Sequence, residues 1–163
     1  RFPIFNAKLD EENEVIHLEH EHHIGIAVDT EEGLIVPVIK HVEKKSLRDI
    51  HDEAKLLTQK AQENKLTIAD VTGGTFTISN VGPLGGSIGA TPIIHYPEVA
   101  LMAFHKTKKR PVVTDDDKIV IRSMMNISMS FDHRVADGAT AVAFTNYFVK
   151  LVENPKFMFM ELV

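Results

Sequence analysis

An imidazole set among carboxylates at the end of an apolar stretch is where this sequence concentrates chemistry. Ile127 to Phe131 alternates apolar with small hydroxyl residues, as a largely buried strand does, and runs into Asp132, His133 and Arg134, with Asp137 and Gly138 just beyond. A charged turn would use the same residue types. A strand end is nevertheless a rigid support for a ring that titrates near neutral pH, and such a ring can take a proton from a thiol or a hydroxyl.

The complementary group is Ser79, in the other hydroxyl- and glycine-rich stretch, Gly73 to Gly89. Two chemistries are open: Ser79 as a nucleophile with His133 as its base, or Ser79 as a donor to an oxyanion while His133 activates another molecule's nucleophile. No Gly-x-Ser-x-Gly elbow is present, and Thr77-Ile78-Ser79-Asn80 reads as a strand end, which suits a donor better.

The elements that must position these groups follow from composition and periodicity. The 163 residues, 44% of them hydrophobic, amount to one domain with a buried core, and the net charge of -5 with no basic stripe argues against nucleic acid as a partner. The absence of cysteine excludes disulfides, thiolate metal sites and a cysteine nucleophile. No apolar run approaches the roughly 18 residues of a membrane span, so no membrane partner is expected.

Along the chain, Val15 to His23 has the alternation of a polar edge strand. His17, His20, His22 and His23 crowd it, and His20 and His22 on one face form the alternative, a metal site. Ile24 to Thr30 and Leu34 to Val42 read as strands, the second interrupted at Pro37. Ser46 to Lys65 is an amphipathic helix that opens on Ser46 and Asp49 at capping-box spacing. Gly74 to Ser79 and Glu98 to Phe104 are further strands, His105 to Arg110 is a basic turn, and Val112 to Thr114 with Lys118 to Arg122 makes a hairpin. A second long helix runs from Asp137, as its N-cap, to Glu153. The loop from Asn80 to Thr91 lacks the spacing of a nucleotide-binding loop and suits close packing against a ligand or a neighbouring subunit.

Ser128 to Gly138, Gly73 to Asn80 and Gly25 to Lys40 together resemble the catalytic domain of the dihydrolipoamide acyltransferases, the core components of 2-oxo acid dehydrogenase complexes. The resemblance covers essentially the whole chain. It implies an α/β fold of the chloramphenicol acetyltransferase type, a two-layer sandwich of a mixed β-sheet with helices packed on it. Phe2 to Ala7 matches a position inside the family's domain. Residues 1–163 are therefore expected to be its C-terminal portion, incomplete at the N-terminus and without the lipoyl and subunit-binding modules. The implied reaction moves an acyl group between dihydrolipoamide, carried on a separate lipoyl domain, and coenzyme A, with no metal.

In that reaction His133 is the general base, Ser79 stabilises the oxyanion, and Asp137 fixes the geometry. Asp29, Ser79 and Asn80 are expected among the residues that contact coenzyme A. The family places the histidine and the serine of one site on adjacent subunits of a homotrimer, which assembles into a cage that binds the decarboxylase and dihydrolipoamide dehydrogenase components. The apolar tail Phe157 to Val163 fits a joint between trimers. Small residues at Gly86, Ser87, Gly89 and Ala90 lean the acyl preference toward branched chains, with acetyl as the alternative. The setting is cytoplasmic in a bacterium and the mitochondrial matrix in a eukaryote. Two rival readings are a cage-forming scaffold without activity and a small-molecule acetyltransferase with a hydroxyl acceptor.

Overall fold

The computed structural model describes residues 1–85 and 89–161. In chain order, β1 (Ala7–Asp10) and β2 (Val15–Leu18) form a hairpin, and β3 (Ile24–Thr30), β4 (Gly33–Ile35) and β5 (Val38–Ile39) follow. Helices α1 (Leu47–Gln62) and α2 (Ile68–Val71) lead to β6 (Phe76–Asn80) and β7 (Ala100–Phe104). A second hairpin, β8 (Lys108–Val113) and β9 (Ile119–Met124), precedes β10 (Ile127–Phe131), α3 (Gly138–Glu153) and α4 (Pro155–Glu161).

The main sheet has the order β10-β7-β6-β3-β4, with β5 also paired to β3. Strand β6 runs parallel to both β3 and β7, whereas β10 is antiparallel to β7, so the sheet is mixed. Parallel pairing of β3 with β6 requires a crossover, and α1 supplies it. Its start is the expected one: Ser46 Oγ accepts from Asp49 N, and the Asp49 carboxylate accepts from Ser46 N.

Alternation along the strands separates two faces. Phe76, Met102, Phe104, Met129 and Phe131 face the helical layer, where Phe144 lies 6.0 Å from Phe76 and Phe148 lies 5.7 Å from Phe104, ring centre to ring centre. Phe76, Met129, Phe131 and Phe144 pack against Phe5, Ala7, Val99, Ala100 and Ala141 to make the core. The opposite face carries mostly small and hydroxyl residues, with Leu101 the exception: Thr77 and Ser79 on β6, Leu101 and Ala103 on β7, Ser128 and Ser130 on β10.

Three expectations change. The strand expected over residues 15–23 stops at Leu18, because β1 begins at Ala7, its register partner, and the Asn6 side chain takes the Glu19 and Glu21 carbonyls instead (2.8 and 3.0 Å). His20, His22 and His23 therefore do not share a strand face. The strand expected over residues 34–42 is split at Pro37, whose carbonyl accepts from Ile26 N. The second half of the expected basic turn, from Lys108 on, is strand, since Lys108, Lys109 and Arg110 pair with Met124, Ser123 and Arg122.

Candidate active site

His133 sits in the turn that joins β10 to α3. Asp132 N donates to Val99 O at 2.8 Å, and Asp132 O accepts from Val135 N and Ala136 N. Arg134 closes the turn from outside: its Nε and Nη2 reach both oxygens of Asp132 (2.7 to 3.1 Å) and its Nη2 also reaches Glu11 (2.8 Å). The Arg134 hydrogen bonds hold the Asp132 carboxyl below its usual range. The His133 ring is exposed and leans on Phe131, with centroids 5.6 Å apart. It is held by backbone geometry and free to meet a substrate.

Asp137 caps α3, its Oδ1 accepting from Thr140 N at 2.7 Å. That backbone bond, then the Thr140 side chain and, more weakly, His133, lower its pKa. Asp137→Ala is expected to lower the melting temperature through loss of the cap, whereas Asp137→Asn retains it. Thermal melts of both variants check this.

Ser79 lies at the far end of the same sheet. It pairs with Ala103, and Ala103 pairs with Ser128, so Ser79 and Ser128 are level. Phe131 is three residues beyond Ser128, about 10 Å along the strand and two strands over, and His133 follows it past the sheet end. Within one chain the two groups are thus separated by well over hydrogen-bond reach. Asp29 and Asn80 fall on the Ser79 side: Ala27 pairs with Ser79, Asp29 is two residues on along the same face, and Asn80 ends β6. Asp29 borders one pocket of about 440 Å³ and Asn80 another of about 420 Å³. The expected residues thus fall into two groups, His133 with Asp137 at one end of the sheet and Ser79 with Asn80 and Asp29 at the other.

Several polar clusters were not singled out in the sequence. Glu98 is buried behind Ser79's neighbour Thr77, whose hydroxyl donates to it at 2.7 Å, and burial raises its pKa. His105 is buried against Ser128. Glu21, His23 and His41 converge, the His23 and His41 rings 4.6 Å apart. The metal expectation concerned His20 and His22, and the residues that gather are different ones. His23 Nδ1 accepts from His41 N at 2.9 Å, which puts the neutral ring's proton on Nε2, facing Glu21 at 3.5 Å. That is a hydrogen-bonding role rather than a ligand's.

Burial first, then the charges of His41 and Lys40, push the His23 pKa down. The unfolded chain takes up this proton near pH 6.5, but the folded chain resists it. The stability that His23 contributes is therefore complete above about pH 6.5 and is lost as the pH falls toward the folded value. Melting temperature should drop as the pH falls below about 6.5, and drop less in His23→Gln, which keeps an acceptor for His41 N.

Comparison with known proteins follows the same outline. The chloramphenicol acetyltransferase structure superposes over 88% of this chain and 67% of its own, with a TM-score of 0.52 at 17% identity, and so shares the fold. Residues 1–160 match the model of the 2-oxoacid dehydrogenases acyltransferase (catalytic domain). The chain belongs to this family.

The dihydrolipoyllysine-residue acetyltransferase component of the pyruvate dehydrogenase complex of Staphylococcus epidermidis is 43% identical over 162 residues, which are 99% of this chain and 37% of that protein. The chain therefore spans well under half the length of this curated relative. Azotobacter vinelandii dihydrolipoamide acetyltransferase superposes with a TM-score of 0.91 at 39% identity, over 97% of this chain and 64% of its own. In that enzyme a serine, a histidine and, four residues after the histidine, an asparagine have been investigated for their role in the catalytic mechanism. The cubic core of a pyruvate dehydrogenase multienzyme complex matches equally well, with a TM-score of 0.91 at 39% identity over 97% of this chain and 64% of that one.

Proposed function

We propose that this domain transfers an acetyl group between dihydrolipoamide and coenzyme A at a site shared by two copies of the chain. The observation that carries this reading is the division of the site. His133 and Ser79 lie at opposite ends of one sheet, so a centre that contains both is completed by a neighbour. The spacing of His133 and Asp137 is that of the histidine and asparagine of the Azotobacter enzyme, and Ser79 precedes His133 by nearly the separation found there.

His133 takes the proton of the attacking thiol, which at a pKa of roughly 8.5 or above is mostly protonated at neutral pH. The thiolate sulfur bonds to the thioester carbon, and the oxygen gathers charge beside the Ser79 hydroxyl of the neighbouring copy. When the intermediate collapses the old carbon–sulfur bond breaks and His133 returns the proton to the departing sulfur. Asp137 steadies the turn from the helix end. Asp29 and Asn80, on the Ser79 side, are the contacts for coenzyme A.

The branched-chain preference read from Gly86, Ser87, Gly89 and Ala90 gives way to acetyl. Gly86 and Ser87 lie outside the described residues, and the relatives with 42 to 43% identity carry the acetyltransferase name. A homotrimer that builds a cage, and that works with the decarboxylase and dihydrolipoamide dehydrogenase components, goes with this reading, as does a cytoplasmic setting in a bacterium. Acetyl-coenzyme A and dihydrolipoamide mixed with the full chain should yield acetyl-dihydrolipoamide at a rate that follows the assembled fraction. Product with a hydroxyl acceptor but none with the dithiol would favour the small-molecule acetyltransferase, and no product with either would favour the scaffold.

A further inference from the structure

A second imidazole is buried on the face that carries Ser79. His105 follows β7, is 2% exposed, and places its Nε2 2.9 Å from Ser128 Oγ. Ala103, two residues earlier, is the register partner of both Ser79 and Ser128, so alternation sends the His105 side chain to their side while Phe104 packs on Phe148. Ser128 Oγ also accepts from Ala90 N at 3.5 Å, and Ser130 Oγ donates to Pro92 O at 2.6 Å. Two serines thereby tie the segment around residues 90–92 down over this face, with His105 braced beneath it. Among the described residues, the buried His105 Nδ1 has no hydrogen-bond partner. Packing alone does not call for such a group, since an apolar side chain would fill the volume without an unsatisfied atom.

We propose that His105, held by Ser128, is the wall that limits the acyl group to two carbons. The inference rests on Ser79 as the oxyanion donor. A carbonyl oxygen within about 3 Å of the Ser79 hydroxyl leaves the first acyl carbon over the neighbouring strand, where spacing is about 4.8 Å. On the β7 side that neighbour is Ala103, small enough to admit a methyl group, while the β3 neighbour, Ala27, lies toward Asp29 and the expected coenzyme A contacts. A longer or branched chain that continues along the face meets the imidazole and Ser128.

The test compares acetyl- and isobutyryl-coenzyme A as donors to dihydrolipoamide with the full chain in its assembled form. His105→Ala should raise the isobutyryl-to-acetyl ratio of kcat/KM by roughly 10- to 200-fold, the usual discrimination of a pocket against added methyl groups. His105→Phe, which refills the wall without the hydrogen bond, should keep the acetyl preference. Should His105→Ala fail to assemble, His105→Val trims the ring while keeping apolar packing and reads the same ratio. A ratio within twofold of wild type in the trimmed variant, with acetyl transfer intact, overturns the role of His105 and leaves the acyltransferase reading standing. Loss of acetyl preference in His105→Phe overturns it as well. Wild-type chain that transfers neither group overturns both.

Discussion

Replacing His133 by alanine is expected to lower the rate of acetyl transfer by about 100- to 10,000-fold, the usual worth of a positioned general base. The ring is exposed, so its loss should leave folding and assembly unchanged and the effect should fall on kcat. The residual activity has its own signature. Without the base, reaction depends on thiolate that forms in solution, so the variant should speed up as the pH rises toward the thiol pKa of roughly 8.5 or above. Stopped assays across that range, with circular dichroism as the control for folding, check the point. A variant that keeps wild-type rates removes His133 from the chemistry.

Replacing Ser79 by alanine is the second large effect, about 100- to 1000-fold in kcat with little change in KM, because the hydroxyl matters when charge appears on oxygen rather than when the thioester binds. Each variant alone is then nearly inactive, and their mixture distinguishes a shared site from one built within a chain. If His133 of one copy faces Ser79 of the next, random co-assembly of the two variants leaves about a quarter of the interfaces with both groups intact, and activity returns in proportion. A site contained in one chain has no intact copy in the mixture and shows no recovery. The sheet register predicts recovery, since Phe131 on β10 and Ser79 on β6 lie at opposite ends of the same sheet.

The elements were most legible where a local signal and the tertiary environment agree. Ser46 and Asp49 announce the start of α1, and Asp137 that of α3, because a cap is satisfied within four residues of itself. The strand after Asn13 is shorter than its alternation suggests because alternation continues in the sequence after the partner strand has run out. Its true end depends on Asn6, whose amide captures the Glu19 and Glu21 carbonyls across the hairpin. Charge suggests a solvated turn for the basic segment, whereas β8 is a largely exposed strand whose backbone is satisfied by β9.

The chemistry divides along the same line. Residue types and spacing by themselves determined that His133 stands at a strand end with Asp137 at the next helix start, that Ser79 closes another strand, and that the pattern belongs to one family. Those are properties of neighbours in sequence. Only the tertiary structure decided that Ser79 and His133 lie at opposite ends of one sheet, that Arg134 and Asp132 lock the turn, and that His105 rests on Ser128 beneath the loop. Parallel and antiparallel pairing set those relations, and strand order and register arise from long-range packing that no local stretch of sequence encodes.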